Sequence, residues 1–120
     1  MKKRILIAED EQAFLNSMKV LIETIDDKFE VYSANNGKQA LKLINELDID
    51  LLITDILMPD MDGLELTRDV QKKYPSIKIL AMSGGGDHYL EAAELFGASY
   101  VLNKPFEVDR LLSAINKVLG

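Results

Sequence analysis

The sequence predicts a three-layer α/β sandwich built round a parallel sheet, and three observations predict it. Short apolar runs recur at residues 5–8 (ILIA), 31–32 (VY), 51–53 (LLI), 79–82 (ILAM) and 100–102 (YVL). Runs that are continuously apolar, instead of alternating, mark strands covered on both faces. Between them lie segments with one apolar stripe at helical spacing. Strand and helix patterns alternate five times within 120 residues, which requires right-handed crossovers from each strand to its parallel neighbour.

The elements follow in order. The first strand runs into Glu9-Asp10-Glu11, and the stripe Phe14, Met18, Leu21, Ile22, Ile25 then predicts the first helix. After the second strand, Asn36 followed by Gln39 opens the second helix as a capping box. The third strand leads to Asp55 and a tight loop, Met58-Pro59-Asp60-Met61-Asp62-Gly63. There Asp62 with Glu65 caps the third helix, and Pro75 ends that helix after Tyr74. Asp60 and Asp62 read as turn and capping residues, not ligands. The fourth strand reaches Ser83 and the run Gly84-Gly85-Gly86, which predicts a mobile loop. The fourth helix starts near His88 and Tyr89 and stops at Gly97. The fifth strand leads into Lys104-Pro105, and Leu111, Leu112, Ile115, Val118 and Leu119 line the last helix. With no repeat, linker or low-complexity tract, residues 1–120 read as a single domain with no room for an effector domain.

Composition narrows the function. Hydrophobic residues make up 48% and charged residues 28% of the chain, the balance of a soluble globular protein. A net charge of -6 and a pI near 4.7 oppose direct contact with nucleic acid. The absence of cysteine excludes disulfides and thiolate metal sites. No apolar run is long enough for a membrane span or a signal segment, so a cytoplasmic protein is expected. His88 is the only histidine, which excludes triads and metal sites that need more than one.

Ligands of parallel sheets bind outside the carboxyl ends of the strands. The first strand ends at Glu9 and Asp10, the third at Asp55, the fourth at Ser83 and the fifth at Lys104. Carboxylates gathered at one edge repel each other unless a cation sits among them, and oxygen ligands favour a hard one, Mg²⁺. A carboxylate beside such a cation can attack a phosphoryl group while an ammonium and a hydroxyl neutralise and bond its oxygens. Asp55, at the end of a central strand, is the candidate nucleophile, which leaves Glu9 and Asp10 to hold the metal.

These segments, Ile5-Leu6-Ile7-Ala8-Glu9-Asp10-Glu11, Asp55 through Leu66, Met82-Ser83-Gly84 and Asn103-Lys104-Pro105-Phe106, resemble the response regulator receiver domain of two-component signal transduction. The resemblance implies a flavodoxin-like (CheY-like) fold with strand order 2-1-3-4-5 and five helices. It implies that Asp55 is the phosphoacceptor for a sensor histidine kinase or a histidine phosphotransfer protein. Mg²⁺ would be bound by Asp10, Asp55, the backbone carbonyl of Leu57 and, through water, Glu9. Ser83 and Lys104 would each bond a phosphoryl oxygen, and a cis Lys104-Pro105 bond is expected. Such a domain assists its own phosphorylation and dephosphorylation and is not a turnover enzyme. It signals to a downstream target protein or effector domain, as a monomer or a phosphorylation-dependent dimer, without contacting a membrane.

Three positions depart from the family pattern. Glu9 stands where Asp is commoner, and Ser83 where Thr is. The position three before the lysine, usually aromatic, is Val101, with Tyr100 one place earlier and therefore on the opposite face of the strand. A secondary switch surface of Val101, Tyr100 and Tyr89 follows, with Tyr89 and Tyr100 as exposed aromatic anchors between His88 and Leu119, and with signalling carried by the glycine loop and the fourth helix. The alternative is an aspartyl-phosphate-forming phosphatase, but such enzymes place a second acid two residues after the nucleophile, where this chain has Leu57. An FMN carrier is a third reading, disfavoured because the carboxylates after the first strand would repel the flavin phosphate.

Overall fold

Five parallel strands, β1 (Lys3–Ala8), β2 (Phe29–Ala34), β3 (Leu51–Asp55), β4 (Lys78–Ser83) and β5 (Tyr100–Asn103), form one sheet in the order β2-β1-β3-β4-β5. The helices α1 (Gln12–Ile25), α2 (Gly37–Glu46), α3 (Gly63–Lys73), α4 (Asp87–Leu95) and α5 (Val108–Leu119) alternate with them. The computed structural model describes residues 2–25, 27–58, 61–85 and 87–120, and the side chains of all of these except Ile25 and Asp87. Pro59 and Asp60 of the turn and Gly86 of the glycine run thus lie outside the described residues.

Side-chain alternation sorts each strand between two layers. Ile5, Ile7, Leu51, Ile53, Leu80 and Met82 point to one face, where Leu15, Met18 and Ile22 of α1 and Leu111, Ala114 and Ile115 of α5 cover them. On the other face Leu6, Ala8, Leu52 and Ile79 meet Ala40 and Ile44 of α2 and Leu66 and Val70 of α3. A smaller group, Ile56, Ala81, Leu90 and Ala93, seats α4 on that face. All five residues of β3 are buried, as a central parallel strand requires.

The caps explain where the helices begin and end. Asn36 Oδ1 accepts from the Gln39 N–H at 2.8 Å and Asp62 Oδ1 from the Glu65 N–H at 2.9 Å. Gln39 reaches back, but to the N–H of Asn35 at 2.6 Å instead of that of Asn36. After α4, Gly97 has φ of 118°, with its N–H bonded to the Glu94 carbonyl and that of Ala98 to the Ala93 carbonyl. This pair of bonds is a Schellman ending, and it needs a residue tolerant of positive φ.

Gly63 fixes how closely α3 approaches the end of β3. Its N–H donates to the Ile56 carbonyl at 2.7 Å, and a Cβ there would lie 2.1 Å from the Asp55 carbonyl oxygen. Backbone, not a flexible side chain, is what it would strike. Gly63→Ala is therefore expected to lower unfolding stability by about 3 kcal/mol, the upper end of overpacking costs, in urea or thermal denaturation.

Candidate functional site

The sheet's hydrogen-bond ladder runs one residue beyond several strands, and this brings the polar residues together. The Glu9 N–H donates to the Ala34 carbonyl at 3.0 Å, so Glu9 continues β1 and is buried, while Asp10 turns out to solvent. The Ile56 N–H bonds the Met82 carbonyl at 2.9 Å and holds the end of β3 beside β4. The Lys104 N–H bonds the Ser83 carbonyl at 2.9 Å, which ties the lysine to the end of β4. The Lys104-Pro105 peptide is cis.

At this edge Lys104 Nζ stands 2.6 Å from Glu9 Oε1 and 3.3 Å from Asp55 Oδ2. Glu9 is 1% and Asp55 7% exposed. Burial alone would lower the lysine's pKa, but its bond to Glu9 and the charges of Asp55 and Glu9 outweigh that and hold it above the ordinary value. The second oxygen of Glu9 accepts from the Glu11 N–H at 3.3 Å. The longer arm of glutamate is thus used to bridge Lys104 and the start of the following loop.

Carboxylate oxygens of Glu9, Asp10 and Asp55 lie within 4.8 Å of one another. An all-oxygen set of this kind suits a hard divalent cation, which offsets the two negative charges left when the single positive charge of Lys104 is set against three carboxylates. Ser83 is fully buried, and its Oγ accepts from the Gly85 N–H at 3.0 Å. A hydroxyl that accepts one bond still has its own hydrogen to donate.

The remaining sequence-predicted residues lie further out. Leu57 follows β3 and is 48% exposed. Tyr89 is half-buried against the α4 group, and a Cβ on Gly85 would be 3.0 Å from its ring and 3.1 Å from Leu57 Cδ1. Val101 packs with the same α4 group, whereas Tyr100 packs with the α1 and α5 core. They therefore face opposite sides of β5, as alternation requires. The expectation that Tyr89 and Tyr100 are exposed anchors needs correction. Both are half-buried, and Tyr100 lies under α5 with Lys117 Nζ 5.9 Å from its ring centre.

Residues 5–116 match the family described as "Response regulator receiver domain". The chain belongs to this family. Receiver domains of this kind are signalling modules of two-component systems, not classical turnover enzymes. The receiver is 34% identical over 116 residues to the chemotaxis protein CheY of Listeria monocytogenes, covering 95% of this chain and 96% of that one. It is 33% identical to the transcriptional regulatory protein DegU of Brevibacillus brevis over 98% of this chain, and spans only 50% of that relative's length. The crystal structure of a CheY-like response regulator receiver domain protein from Methanospirillum hungatei superposes with a TM-score of 0.93 at 31% identity. That match covers 99% of this chain and 94% of the other. Among the described residues, no helix is long and apolar enough to cross a membrane.

Two residues at the site were not singled out from sequence. Gly63 looks like an ordinary loop glycine until the Asp55 carbonyl is placed against it. Phe14 looks like one more apolar position of the α1 stripe, yet its ring lies beneath the Lys104 ammonium.

Proposed function

We propose that Asp55 is the phosphoacceptor of this receiver. The observation that carries this reading is the convergence of Glu9, Asp10, Asp55 and Lys104 at the carboxyl edge of the sheet, with Asp55 on its central strand. An Asp55 carboxylate oxygen attacks phosphorus, the bond from phosphorus to the donor's imidazole nitrogen breaks, and its electron pair stays on that nitrogen, which is then protonated. Glu9, Asp10, Asp55 and the Leu57 carbonyl would hold Mg²⁺, which when bound neutralises charge on the transferring oxygens. Lys104 exchanges part of its contact with Asp55 for a phosphoryl oxygen. Ser83 donates its free hydrogen to another while keeping the Gly85 N–H.

The phosphoryl donor is a sensor histidine kinase or a histidine phosphotransfer protein, and the output is binding to a target protein or effector domain. The face made by α4, β5 and α5 suits that output. It carries a groove of about 430 Å³ lined by Leu90, Val101, Asn103, Pro105, Phe106, Glu107 and Arg110, with the small Val101 in place of an aromatic. The test is intact mass after incubation with acetyl phosphate, with Mg²⁺ or with a chelator. A gain of one phosphoryl group only with Mg²⁺ supports the reading, and no gain in folded protein contradicts it.

Neither Leu57 nor Gly85 offers a polar side chain that could orient a hydrolytic water, so the phosphorylated form should not be exceptionally short-lived. Leu57→Asn supplies such a group at an exposed position, and is expected to shorten the lifetime about tenfold, equivalent to one net hydrogen bond of about 1.4 kcal/mol. A decay of phosphoprotein mass at the wild-type rate would count against the argument.

A further inference from the structure

We infer that Phe14 is a positioning residue for phosphorylation, holding the Lys104 ammonium at the carboxylate edge through the face of its ring. The inference rests on the proposed role of Asp55 and adds a residue to it. Lys104 Nζ is 4.5 Å from the Phe14 ring centroid, inside the range in which a ring quadrupole attracts a cation. The same ammonium meets Glu9 at 2.6 Å and Asp55 at 3.3 Å. The lysine therefore contacts two carboxylates and an aromatic face, with its side chain 22% exposed.

The ring itself is held in place. Phe14 meets Phe106 edge to face, with centroids 6.1 Å apart and planes at 71°. Phe106 follows Lys104 by two residues, so the contact ties α1 to the segment that carries the lysine. A leucine at position 14 would fill the same stripe of α1 but offer no negative face. The ammonium would then be free to swing toward water, and fewer molecules would present it where the phosphoryl oxygens gather charge. Phe14 also packs against the core beneath α1 and α5, so the test must separate the attraction of its ring face for the ammonium from its packing.

The experiment places 4-fluoro-, 3,5-difluoro- and 3,4,5-trifluorophenylalanine at position 14, alongside Phe14→Leu and Phe14→Tyr. Fluorine withdraws electron density from the ring face with little change in volume, so packing is held while attraction is lowered. Phosphorylation by acetyl phosphate is followed by intact mass at saturating Mg²⁺, and the Lys104 side-chain protons by NMR. The rate should fall stepwise along the fluorinated series, reaching about 2- to 5-fold below wild type in Phe14→Leu, with Phe14→Tyr restoring it. The Lys104 ε-protons should be shifted upfield by the ring in the wild type and lose that shift in Phe14→Leu. A rate that is flat across the fluorinated proteins, or ε-protons without a ring shift in the wild type, would overturn the inference. A wild type that gains no phosphoryl group at all would instead overturn the role of Asp55 and the kinetic part of this one, with the ring shift still reporting whether Phe14 holds Lys104.

Discussion

Asp55→Asn is expected to abolish phosphorylation by any donor, a complete loss against one phosphoryl group per chain in the wild type. The side chain keeps its size, and its place at the end of β3 is set by backbone bonds from Ile56 to Met82 and from Gly63 to Ile56. The fold should therefore survive, with an unfolding midpoint close to that of the wild type. What disappears is the anionic oxygen that attacks phosphorus, since an amide is a poor nucleophile at any accessible pH. A metal ligand is also weakened, since a neutral amide oxygen replaces one of three carboxylates within 4.8 Å. Intact-mass spectra of both proteins with acetyl phosphate and Mg²⁺ check this directly. Equal phosphorylation of the mutant would move the acceptor elsewhere.

Lys104→Met is expected to slow phosphorylation on the order of 100-fold, the cost of losing one pre-aimed electrostatic donor. Methionine keeps an unbranched apolar stem but removes the charge, and with it the ammonium that stands over the Phe14 ring. It also leaves Glu9 buried without its cation, so the mutant should be less stable when Mg²⁺ is chelated. The pH dependence has a definite sign. The pKa of Lys104 is raised in the folded protein, so its stabilisation is complete below the unfolded lysine value of about 10.4 and is lost as pH rises through the higher folded value. In chelator, the wild type should therefore lose its advantage over Lys104→Met above about pH 10.4 and keep it at neutral pH. An advantage unchanged through that range would show that the ammonium's charge is not what stabilises the edge.

Much of this architecture is legible in the sequence because it depends on local rules. Asn36, Asp62 and Gly97 punctuate helices through bonds made within a few residues, Pro75 through its ring and missing N–H, and all four act at the expected places. The site residues were legible because a parallel sheet sends every strand ending to one edge, so naming the endings also gathers the site. Strand extents were less legible at the sheet's edge. β2 spans Phe29–Ala34, wider than the apolar pair Val31-Tyr32, because an edge strand can place Glu30 and Ser33 in half-buried positions.

What the sequence could not reveal are contacts between segments far apart in the chain. Nothing in the stripe Phe14, Met18, Leu21, Ile22 distinguishes the one ring that meets a lysine 90 positions later. The bridge from Glu9 to Lys104 joins positions 95 residues apart, and the role of Gly63 depends on a backbone contact with Asp55. Tyr100 is half-buried and not an exposed anchor for a related reason. The face it occupies followed from alternation, but the cover supplied by α5 did not.

The most direct test of the account is to locate the phosphoryl group itself. Protein treated with acetyl phosphate and Mg²⁺ is reduced with borohydride, which converts an aspartyl phosphate to homoserine, and its peptides are sequenced by mass spectrometry. Homoserine is expected at position 55, and none when Mg²⁺ is chelated. Reduction at Asp10, at Glu9 or outside this edge, with position 55 left as aspartate, would contradict it.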